Sequence, residues 1–102
     1  MDLSPEFTLG AALRCYALAQ AGAPEATARC AEVPAGPGSL PTVRALVALG
    51  RGDREAALVE VERGFATRDP FLFAASLNAP WWGAIRDEPR FRAVAAVMGV
   101  SL

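Results

Sequence analysis

Apolar residues recur along this chain in blocks without a sustained two-residue alternation, and β-branched residues are sparse. That pattern predicts helices and no strands. It is clearest where Ala57, Val61, Gly64 and Phe65 fall at the i, i+4, i+7, i+8 spacing of a buried stripe. Prolines punctuate the blocks. Six of the eight (Pro5, Pro24, Pro41, Pro70, Pro80 and Pro89) each open an apolar, Ala-rich or Arg/Glu-rich segment. Pro suits a first helical turn because its φ is already helical and its missing N–H has no partner there. Side chains able to cap stand just before five of them: Ser4, Ser39, Asp69, Asn78 and Asp87. The other two prolines sit in a Gly-rich stretch at 33–39, which reads as a loop.

These signals predict helices over residues 4–21, 24–32, 41–49 and 54–67, with shorter ones at 70–77, 80–86 and 89–98. A turn at 50–53 should end in an Asp53 cap. The expected fold is all-α, one domain over residues 1–102, built from antiparallel helix pairs with short turns. A shift of 30 residues brings Leu13-Arg14 onto Val43-Arg44, Gly22 onto Gly52, and Glu25-Ala26 onto Glu55-Ala56. This reads as an internal repeat, a long apolar helix before each Gly and a shorter Ala-containing one after it. Ala57 and Gly64 would let helices approach closely, with Phe65 buried between pairs.

The segment from Leu49 to Leu58 (LGRGDREAAL), followed by Gly64-Phe65 and Arg68-Asp69-Pro70, resembles the turn and second helix of a tetratricopeptide (TPR) repeat. The aromatic and the second small residue stand in swapped order here, and the Pro falls one position late. Farther on, Ile85-Arg86-Asp87-Glu88-Pro89-Arg90-Phe91 and Met98-Gly99 resemble the segment closing TPR regions in bacterial regulatory proteins. Pro24 and Thr27 depart from the pattern. The resemblance implies a short α-solenoid of about two and a half repeats, with units near 5–33, 40–69 and 70–99. It also implies a function in binding protein or peptide, without chemistry of its own.

Composition narrows the chemistry. Hydrophobic residues make up 53% and charged residues 21%, which is globular. Ten basic and eleven acidic residues leave a charge of −1, so nucleic acid is not an expected partner. Every basic residue is Arg, and His is absent as well as Lys. A His base, a His-containing triad, a His-ligated metal and a Lys Schiff base are therefore excluded, and no enzyme activity or cofactor is expected. The Ala-rich, all-Arg usage fits a GC-rich bacterial genome. No stretch approaches the ~18 apolar residues of a membrane span, and the N-terminus lacks a basic leader, so the expected location is the cytoplasm. A mean hydropathy of +0.26 is high for so short a chain and points to apolar surface covered by a partner.

Cys15 and Cys30, the only cysteines, fall at matching heights on the first two helices. In a cytosolic protein they read as a buried, reduced, slowly reacting pair; a redox switch is the alternative. Asp87 and Glu88 read as helix-start carboxylates, and Arg51 with Glu55 as a weak surface pair. Of the adjacent Trp81 and Trp82, one should anchor the C-terminal helices and the other stay partly exposed; the alternative is that both pack at a corner. Placing the repeats by Gly22 and Gly52 puts Tyr16, Gln20, Thr42, Leu46 and Leu49 on the expected binding surface, with Arg14 and Arg44 beside it to hold an acidic group and Trp82 as an aromatic contact. The first helix is apolar nearly all round. Leu9 and Leu13 are therefore expected to contact a second copy, giving a homodimer, or an adjoining domain. A homo-oligomerisation domain without a peptide ligand is the alternative function.

Overall fold

In the computed structural model, residues 5–33, 39–74, 77–100 and 102 are described. They form six α-helices and no strand: α1 (Pro5–Gln20), α2 (Ala26–Glu32), α3 (Pro41–Gly50), α4 (Arg54–Thr67), α5 (Pro70–Ala74) and α6 (Pro89–Met98), with a 3-10 turn at Pro80–Trp82. The expected Ser4 cap, most of the 33–39 loop and residues 75–76 of the helix expected at 70–77 lie outside the described residues, and Leu77, its expected last residue, lies in a turn.

The start signals met different fates. Asp53 caps α4 by accepting the Ala56 N–H at 3.0 Å. Asp69 does more than cap α5: it accepts the Phe71 N–H at 2.9 Å and the Thr42 N–H at 2.7 Å, joining the N-termini of α5 and α3 while only 2% exposed. A buried carboxylate needs such donors to offset its lost hydration. At α3 and α6 the cap positions are Leu40 and Glu88, and neither makes a side-chain capping bond. Ala79 holds the cap position of the 3-10 turn. Asp87 instead pairs with Arg92 at 3.0 Å. The helix expected over 80–86 shrinks to the 3-10 turn, in a segment where Arg86 donates to the Asn78 and Ala79 carbonyls at 3.1 and 3.0 Å.

The 30-residue shift survives in the backbone. In the α1–α2 turn the N–H groups of Ala21, Gly22 and Ala23 donate to Ala17, Ala19 and Leu18. In the α3–α4 turn those of Arg51, Gly52 and Asp53 donate to Val47, Leu49 and Ala48, each pair exactly one register apart. Both glycines hold the left-handed conformation, φ 71° and 76°, which a side chain would disfavour. The copies diverge one residue later: Asp53 caps α4 with its carboxylate, while its counterpart Ala23 has no side-chain acceptor, and α2 begins only at Ala26, not at the expected Pro24.

Helix α3 is the centre of the molecule. It packs on α1, α2 and α4, and eight of its ten residues are buried. One side joins a cluster with Ala12, Cys15, Cys30 and Val33; the other joins Leu58, Val61, Trp82, Ile85 and Phe91. Gly64 is buried where α4 meets α5 and the start of α3; a Cβ there would lie 3.1 Å from Leu72 Cδ2 and 3.4 Å from Pro41 Cβ, so the close approach expected of this glycine is present.

Candidate interaction surface

Helix α1 carries the accessible part of the expected surface. Arg14 and Gln20 are exposed, and Tyr16 is half-buried against the larger core cluster. Helix α3 does not contribute as expected. Leu46 and Leu49 are 0% and 5% exposed, and Thr42 is 2% exposed with its N–H bound to Asp69. They are core residues because α3 is covered on both sides, whereas the repeat argument left one of its faces open. Arg44 is half-buried and spends its charge on Glu60, Nε to Oε2 at 3.0 Å; Glu60 also meets Arg63 at 3.1 Å. It is thus a packed ion pair and not an open site for an acidic group.

Both tryptophans pack on the core, and the fully buried one is Trp82, 0% exposed, with its ring centroid 5.9 Å from that of Phe91. Trp82 therefore cannot be the aromatic contact of a surface. Trp81 is the half-buried one, and it packs against both core clusters. A 100° step along a helix separates neighbouring side chains but does not say which of the two points inward. Sequence reasoning also missed Phe73. It is 47% exposed and stacks on Phe65, centroids 6.2 Å apart. Phe65 itself is half-buried at the edge of the core, so its expected full burial is corrected.

Leu9 and Leu13 are half-buried and already pack on the cluster of Ala12, Val43 and Leu46. Their outer atoms remain open to a second copy, but part of each side chain is used within the fold.

Cys15 and Cys30 lie together, as their matched heights implied. The expectation of free thiols is overturned: the two form a disulfide with Cα atoms 4.9 Å apart, and the cysteines are 0% and 2% exposed. That expectation rested on the assumed compartment, and antiparallel α1 and α2 supply a separation well suited to the bond.

A further set of charges pairs across the surface between α4 and α6. Arg90 on α6 bridges Glu55 and Glu62 of α4, at 2.6 and 2.5 Å, so Glu55 partners Arg90 and not Arg51 as expected. The hydrogen bond from Arg90 holds the Glu62 carboxyl below the usual carboxylate range, against a smaller opposing effect of burial. Among the described residues no group of three or more His, Cys, Asp or Glu is placed to hold a metal ion, and no helix is long and apolar enough to cross a membrane. Compared with known proteins, the chain matches no family model, no curated protein and no solved structure.

Proposed function

We propose that this chain is a non-catalytic protein–protein interaction module, a short TPR-like array that takes a protein or peptide partner, as in a bacterial regulatory protein. The observation that carries the reading is the repeated α1–α2 and α3–α4 turn, with the same three hydrogen bonds at a 30-residue shift and α3 packed on both α1 and α4. Stacked helix pairs of this kind form extended surfaces suited to partner binding. The absence of His and Lys from the sequence supports a binding role over a catalytic one. The contact surface is the side of α1 that carries Tyr16 and Gln20, one turn apart, with the half-buried Tyr16 as the aromatic anchor. Peptides selected on the immobilised chain test it. Gln20→Glu and Tyr16→Ala should each weaken the selected peptides at least tenfold. Peptides indifferent to both changes reject this surface.

A second reading, self-association through α1, rests on the half-open Leu9 and Leu13. Sedimentation decides it: a reversible dimer at micromolar concentration supports it, and a folded monomer at millimolar concentration rejects it.

A further inference from the structure

Helix α2 is held on the molecule by very little. Five of its seven residues are exposed, and only Ala26 and Cys30 within it, with Val33 just beyond, are buried. Its Arg29–Glu32 ion pair lies within α2 itself. Cys30 is also its covalent tie to Cys15 of α1. The disulfide sits against the end of α3, where a Cβ built on Gly50 would lie 2.9 Å from both sulfur atoms. Gly50 has no positive φ and ends a helix, so backbone conformation does not require glycine there. The space its missing side chain leaves is the space the disulfide fills.

We infer that the Cys15–Cys30 disulfide is a redox latch seated on Gly50, and that its reduction releases α2 while α3, α4 and α6 stay folded. The exchange is a two-electron step. A small-molecule thiolate attacks one sulfur, breaking the Cys15–Cys30 bond and forming a mixed disulfide. A second thiol then displaces the protein sulfur and leaves as the oxidised reductant, and the two protons end on the Cys15 and Cys30 thiols. Because the cysteines are buried, attack requires α2 to lift first. The latch stays closed in oxidising surroundings and opens in reducing ones.

The chain contains Arg but no Lys, so trypsin reads the release directly. Arg29 lies in α2, Arg44 in α3 and Arg63 in α4. Under native conditions, reduction should speed cleavage after Arg29 more than tenfold and leave cleavage after Arg44 and Arg63 within about twofold. The Cys15→Ser/Cys30→Ser variant should match the reduced chain without any reductant. Gly50→Ala should shift the equilibrium with a glutathione redox buffer at least tenfold toward the reduced form. Unchanged cleavage after Arg29 overturns the latch. Equal acceleration at all three sites overturns it too, since the bond would then hold the whole fold. A Gly50→Ala chain that titrates like the parent overturns the assignment of Gly50 as the seat.

Discussion

The two sides of α3 are held by different means. On the side of α4 to α6 the packing uses large side chains: Leu72, Leu77, Trp82, Ile85 and Phe91 are each at most 1% exposed. Polar bridges add to it, Asp69 between helix starts and Arg90 between α6 and α4. On the side of α1 and α2 the fully buried partners of α3 among the described residues are small, Ala12, Cys15, Cys30 and Val33, with Leu9, Leu13 and Trp81 packed only partly buried at the edge. Hydrophobic stabilisation grows with buried apolar area at roughly 25 cal/mol per Å², so small side chains contribute little. There a covalent bond adds to a thinner apolar packing. By chain entropy, closing a loop of 15 residues contributes about 3 kcal/mol. A small domain thus reaches stability by two routes on opposite faces of one helix.

The largest expected effect breaks the side that relies on area. Trp82→Ala should cost about 3–5 kcal/mol in denaturant unfolding, because the indole is fully buried against Phe91. A loss under about 1 kcal/mol would mean that α6 and the 3-10 turn do not share a core. Next comes Asp69→Ala, which orphans the Thr42 and Phe71 N–H groups and should cost about 2–3 kcal/mol. A neutral result would show that the two helix starts are satisfied by other means. Phe65→Ala should cost less, about 1–2 kcal/mol, since the ring is only partly buried and stacks on the exposed Phe73. Equality with Trp82→Ala would put Phe65 back in the core.

The smallest effect concerns the α4–α6 ion cluster. The folded carboxyl of Glu62 titrates below its unfolded value, so its stabilising contribution is present above the ordinary carboxylate range and is lost as pH falls through the folded value. Melting temperatures between about pH 5 and pH 2 should therefore fall more steeply for the parent than for Arg90→Gln. Parallel curves would show that the cluster carries no pH-dependent stability.

What could be read from the sequence followed local physics. Pro41, Pro70 and Pro89 open helices, Asp53 caps α4, and Gly22 with Gly52 sets two matching turns. These features act within a few residues of themselves. The surface was less legible, because accessibility depends on what covers each helix. Leu46 and Leu49 carry the same apolar signal whether α3 is an edge helix or a central one. The contact of Trp82 with Phe91 and the reach of Asp69 to Thr42, 27 residues away, likewise require tertiary knowledge. The disulfide was legible as proximity but not as a bond, since spacing says nothing of the redox state.

The measurement that tests the two-sided account most directly is residue-resolved hydrogen exchange on the oxidised and the reduced chain. The account predicts that reduction lowers protection more than tenfold across residues 26–33, while amides of α3, α4 and α6 change by about twofold or less. Loss of protection spread evenly over α3, α4 and α6, or no loss in α2 at all, would contradict it.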